Sequence, residues 1–181
     1  MARDGLRILE ERRGTVSMRS SVRGGSFVPD TVNGLPLHPL VVHAVVVLLP
    51  LAAIGVIAIA VRPAWRGRFG PVVIAVAALA TVAIPIATST GDQLAERVGL
   101  PHDHAELGES LIYFAVPLLA AAVALVWTHR RQASAPPRTV MTTVLAVLAV
   151  LLALANLVQV VRVGDSGAQV VWGHSAATGR D

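Results

Sequence analysis

The sequence has no cysteine and no lysine, and only 4% of its 181 residues are aromatic and 14% charged. Each shortage excludes something. Without cysteine there is no disulfide, no cysteine-ligated iron–sulfur cluster and no covalent c-type haem attachment. The redox compartment stays open, because a cysteine-free chain tolerates either. Without lysine, the formal net charge of +4 rests entirely on arginine. The arginines gather beside apolar runs and in the N-terminal arm, where they set topology and meet lipid headgroups; no nucleic-acid partner is expected. Soluble domains carry about a quarter charged residues. Here 54% of the chain is hydrophobic and the mean hydropathy is +0.66, more apolar surface than a soluble domain of this size can cover. No phosphate-binding loop and no nucleophile–base pair stands out, so a stand-alone enzyme is not expected.

What is present is a set of long Leu/Val/Ala runs. They lack the polar/apolar alternation of a membrane barrel and favour helices. The expected fold is all-α, an integral membrane four-helix bundle (residues 34–175) with a disordered N-terminal arm and a short C-terminal tail (176–181). The helices are expected at about 39–61, 71–88, 104–127 and 139–163. Residues 1–33 are rich in Arg, Gly and Ser and read as disordered. No apolar stretch follows the early arginines as a signal peptide requires, and Met18 offers an alternative start.

The first span, ~23 residues, is long enough to cross a ~30 Å hydrocarbon core. Pro39 suits its first turn and would leave His38 at the cap, outside the helix proper. Arg62, Trp65, Arg66 and Arg68 close it with a cationic, aromatic interface. In the second span, Ala77 and Thr81 suit close helix contact, and Pro85 bends the far end. Gly91-Asp92 reads as its stop, followed by a short amphipathic turn to Gly99. The third span opens with Asp103-His104-Ala105-Glu106, a capping-box pattern. In the fourth, Asn156 and Gln159 lie three apart and should point into the bundle, and a glycine-rich tail is expected from Gly164.

Arg62, Arg66 and Arg68 occupy the first loop, and Arg130, Arg131 and Arg138 the third. The second loop has Arg97 against four carboxylates. The positive-inside bias then puts both termini and the second loop outside the cell membrane. His38, His43, His102, His104 and His174 fall on that outer side with Asp92, Asp103, Glu106 and Glu109. His129 alone falls on the inner side, beside Trp127 and Arg130, where a structural role is expected. Neutral imidazole ligates haem iron, zinc and copper, and four-helix bundles build such sites between facing helices. A b-type haem or a divalent metal near the outer face is therefore a candidate cofactor. His43 and His104 would be the axial pair, supported by His38 or Glu109; the metal set would be His38, His43, His102 and His104. If both were helical, His38 and His43 would diverge by ~140°, so the site needs His38 outside the helix and His43 dipping into the bundle. No second deep histidine supports a two-haem relay. The competing expectation is a cofactor-free helical scaffold or accessory subunit. A proton or solute conductor, the remaining option, lacks charge in the inner half of the helices.

The opening Gly34-Leu-Pro-Leu-His38-Pro39-Leu-Val-Val-His43, the His104-Ala-Glu106-Leu-Gly108 start of the third span and the Gly-Asp165-Ser-Gly167-Ala-Gln-Val-Val-Trp172 segment resemble the bacterial membrane-protein family called domain of unknown function 2231. The resemblance covers about residues 31–175. It implies four membrane helices and no established activity. Some relatives are fused to Rieske-type iron–sulfur domains, which implies a redox setting. The expected partners are the lipid bilayer, a redox protein or membrane-complex subunit, and a second copy in a homo-oligomer. Family members often have His where this chain has Asp165.

Overall fold

The computed structural model describes residues 31–32, 35–98, 102–132 and 139–177, with side-chain detail over 38–92, 105–131 and 140–169. Thr31–Val32 (β1) pairs antiparallel with Leu35–Pro36 (β2) just ahead of the first helix. Four helices follow: α1 (Leu37–Val61), α2 (Arg66–Val98), α3 (His102–Gln132) and α4 (Thr139–Ala177). A single 3-10 turn, Pro63–Trp65, joins the first two. Apart from β1, the expected disordered arm lies outside the described residues.

All four helices are long and apolar enough to cross a membrane. Each packs against its neighbours in sequence and α4 closes back on α1, so the bundle is a ring. Cross-contacts make it antiparallel. His38 at the start of α1 meets Ala87 near the end of α2; Gly70 of α2 meets Val126 of α3; Gln159 and Asn156 of α4 meet Ser110 and Phe114 of α3.

The core is built largely from alanine: Ala52, Ala53, Ala77, Ala80, Ala115, Ala122, Ala149 and Ala153 are buried, with Leu49, Val56, Ile59, Leu118 and Leu125 between them. Small side chains let the backbones approach, which is how helices gain packing energy where lipid offers no hydrophobic contrast. The approach is closest at glycine. A Cβ on Gly70 would stand 2.4 Å from Val126 Cγ2, and one on Gly55 2.9 Å from Val73 Cγ2. The outward Leu, Ile and Val side chains, Val47, Leu51, Ile54, Leu79 and Leu151 among them, face lipid.

The second helix starts at Arg66 and the third ends at Gln132, each about five residues beyond the sequence expectation, and two ends differ more. The second helix does not stop at Gly91-Asp92 but runs on to Val98. Gly91 makes space: a Cβ there would lie 2.9 Å from His38 Cε1. The fourth helix continues past Gly164 to Ala177. At 1.5 Å per residue, its 39 residues span about 58 Å, well beyond a ~30 Å core. Gly164 and Gly167 are carried within it, and the tail is helical to Ala177.

Pro50, Pro71, Pro85 and Pro117 all sit inside helices. Each removes a backbone donor, which is tolerable in a bundle where neighbours compensate. Next to Pro117 a neighbouring helix does supply a side-chain donor, although to the adjacent carbonyl. Asn156, 1% exposed, donates from Nδ2 to the Phe114 carbonyl at 2.7 Å, one residue from the Tyr113 carbonyl that Pro117 deprives of its donor. Gln159 donates to Ser110 Oγ at 2.6 Å, and that hydroxyl donates to the Leu107 carbonyl at 2.7 Å. Both amides point inward as their sequence positions suggest.

Candidate functional site

The helix ends nearest His38 enclose an apolar cleft of about 230 Å³. α1 contributes His38, Val42, Val45 and Val46; the end of α2 contributes Ala87, Thr88, Gly91 and Asp92. Ala105, Gly108 and Leu111 come from α3, and Val163, Gly164 and Gly167 from α4. Small residues on three of the walls, Ala87 and Gly91 of α2, Ala105 and Gly108 of α3, and Gly164 and Gly167 of α4, leave the space open.

His38 is one of its polar groups, with Thr88 and Asp92, and stands inside α1, not outside it. Pro39 does not force a later start, because the first four N–H groups of a helix have no intrahelical acceptor in any case. The imidazole crosses the space left by Gly91. Its Nδ1–H donates to the Ala87 carbonyl at 3.0 Å, with Thr90 Oγ at 3.3 Å. Thr90 is buried and its hydroxyl in turn reaches the Ile86 and Ala87 carbonyls. The ring therefore clasps α1 to α2.

With both residues helical, His38 and His43 diverge by the ~140° that five residues impose. This corrects the expectation that His43 dips into the bundle. His43 is exposed on the outer face of α1, donating from Nδ1–H to the Pro39 carbonyl one turn back, and it is absent from the cleft lining. Glu109 and Glu106 are exposed and also stay out of the cleft. His102 and His104 lie in the first turn of α3 and His174 near the end of α4, so the backbone puts them at the His38 end; their side chains lie outside the described residues. Among the described residues, no group of three or more His, Cys, Asp or Glu comes together as a metal site. Asp165 is exposed and pairs along its own helix with Gln169 at 2.9 Å.

The opposite end is cationic and aromatic. Arg62 stacks over Trp65 at 4.9 Å, Arg68 over Phe69 at 5.5 Å and Arg131 over Trp127 at 4.7 Å, an interfacial belt. His129 is half-buried with Nε2 above Gly67, 3.4 Å from where a Cβ would sit. Sequence reasoning treated Arg66 as one more interfacial charge, yet it is buried at 4% exposure. It donates from Nε to the Ile59 carbonyl at 2.9 Å and from Nη2 to the Ala60 carbonyl at 3.1 Å. It thus caps the C-terminus of α1, where a cation is favoured by the helix dipole. The Arg-Pro turn just after α1 was the available signal.

Four antiparallel apolar helices, amides turned inward and a charged aromatic belt at one end define a multi-pass helical membrane protein. The chain matches the family model described as predicted membrane protein (DUF2231) over residues 34–180, and it belongs to that family. No curated protein and no solved structure matches it.

Proposed function

We propose that the protein is a helical scaffold or accessory subunit of a membrane complex. One observation carries the reading: buried or half-buried polar side chains, His38 of the candidate ligands among them, join one helix to another. His38 clasps α1 to α2, Asn156 and Gln159 tie α4 to α3, and Arg66 caps α1 from the start of α2. The partner in this reading is another subunit of the complex or a second copy, met within the bilayer. The test is stable co-purification with the product of a neighbouring gene from mild detergent. Association that survives His43→Ala supports the reading, and a chain that purifies alone from intact membranes overturns it.

A redox role with one b-type haem or divalent metal at the His38 rim is the second reading, favoured by one feature. His38 and His43 both place Nδ1–H on a backbone carbonyl, which leaves Nε2 as the acceptor that a metal requires. Geometry limits what fits. The cleft, about 230 Å³, is below the ~300–1,000 Å³ of typical ligand pockets, so a macrocycle does not fit between the helices and would have to lie on the exposed His43 side. An absorbance spectrum and metal analysis of detergent-purified protein separate the readings. A Soret band or stoichiometric metal lost in His43→Ala replaces the first reading with the second; neither signal eliminates the second.

A further inference from the structure

The Arg66 end holds a second opening, a groove of about 500 Å³ between α1 and α4. Ala60 and Val61 of α1 line it with Thr142, Thr143, Ala146, Val147, Val150 and Leu151 of α4, and Pro63 and Arg66 open onto it. The guanidinium has five N–H donors, and two of them serve the Ile59 and Ala60 carbonyls. Its Nη1 has no partner among the described residues, and no carboxylate there pairs with it. The end of a helix offers only about half a negative charge, so a full cation is buried against half its counter-charge. Arg62 and Arg68 stand exposed at the same end and add positive potential.

We propose that this groove binds one anionic phospholipid. Its phosphate completes the planar fork of Arg66, a geometry arginine matches better than a point charge, and an acyl chain lies along Ala146, Val150 and Leu151. The aliphatic stretch of the wall, Ala146, Val147, Val150 and Leu151, argues for a lipid over free phosphate. The positive rim disfavours a headgroup that carries its own ammonium.

The test is native mass spectrometry and thermal stability of the full chain in detergent, with phosphatidylglycerol, phosphatidylethanolamine or inorganic phosphate added. One phosphatidylglycerol should bind, roughly fivefold more tightly than phosphatidylethanolamine. Arg66→Gln should remove the preference. Ala146→Phe fills the groove without touching the guanidinium; it should weaken binding by a similar factor, and it decides the matter if Arg66→Gln does not fold. Equal binding of the two lipids, unchanged binding in Ala146→Phe, or stabilisation by inorganic phosphate as large as by lipid would each overturn the proposal.

Discussion

The His38–Gly91 pair gives the sharpest test of the structure, because the two residues should be energetically coupled with a definite sign. His38→Ala removes one interhelical hydrogen bond, worth about 0.6 and at most ~1.7 kcal/mol inside a membrane bundle, together with the ring's packing. A loss of about 2 kcal/mol is expected. Gly91→Ala puts a Cβ 2.9 Å from His38 Cε1, so the ring must leave the Ala87 carbonyl. Overpacking of this kind costs about 1–3 kcal/mol, partly offset by the ~1 kcal/mol that alanine gains over glycine in a helix; a net loss of about 1 kcal/mol follows. In the double variant the clash is gone while the helix gain remains, leaving a loss of about 1 kcal/mol where simple addition requires about 3. The coupling is therefore about 2 kcal/mol, with the second change relieving the first. Reversible unfolding in mixed micelles, read by circular dichroism across the four chains of the cycle, measures it. Additive losses would mean that the imidazole does not sit over Gly91, and the clasp would have to be abandoned.

Other expectations follow from single contacts. Gly70→Ala should destabilise by about 1–3 kcal/mol, because its Cβ would lie 2.4 Å from Val126 Cγ2; Val126→Ala should recover most of that loss in a thermal melt. Asn156 Oδ1 is buried without a partner while Nδ2 holds the Phe114 carbonyl. Asn156→Leu should thus change stability by less than about 1 kcal/mol, since it removes a bond and an unpaired acceptor together. Asn156→Asp should lose about 3 kcal/mol or more at neutral pH, since it sets an unpaired charge against a carbonyl. A double-mutant cycle on Ser110→Ala and Gln159→Leu should return about 0.6 kcal/mol of coupling; zero coupling would show that the 2.6 Å contact is not made in the folded bundle.

The legible and illegible parts of this chain divide by length scale. Four runs of apolar residues, each long enough to cross hydrocarbon, determine four helices, because backbone groups in lipid have no other way to be satisfied. The inward turn of Asn156 and Gln159 follows from the same logic and needs no neighbour to be known. Rotation and register are another matter. The placing of Leu37 and His38 inside α1 sends His38 and His43 ~140° apart, so the two do not share one pocket as the sequence suggested. Gly91 and Gly164 have the composition of helix stops, and only the close approach of His38 gives Gly91 its different purpose. Arg66 is one of several arginines at a membrane edge until the turn at Pro63–Trp65 folds it back onto the end of α1. Hydropathy integrates over twenty residues and so survives in one dimension. The direction of a single side chain depends on which neighbouring backbone comes within 3 Å of it, and that was decided only when the helices packed.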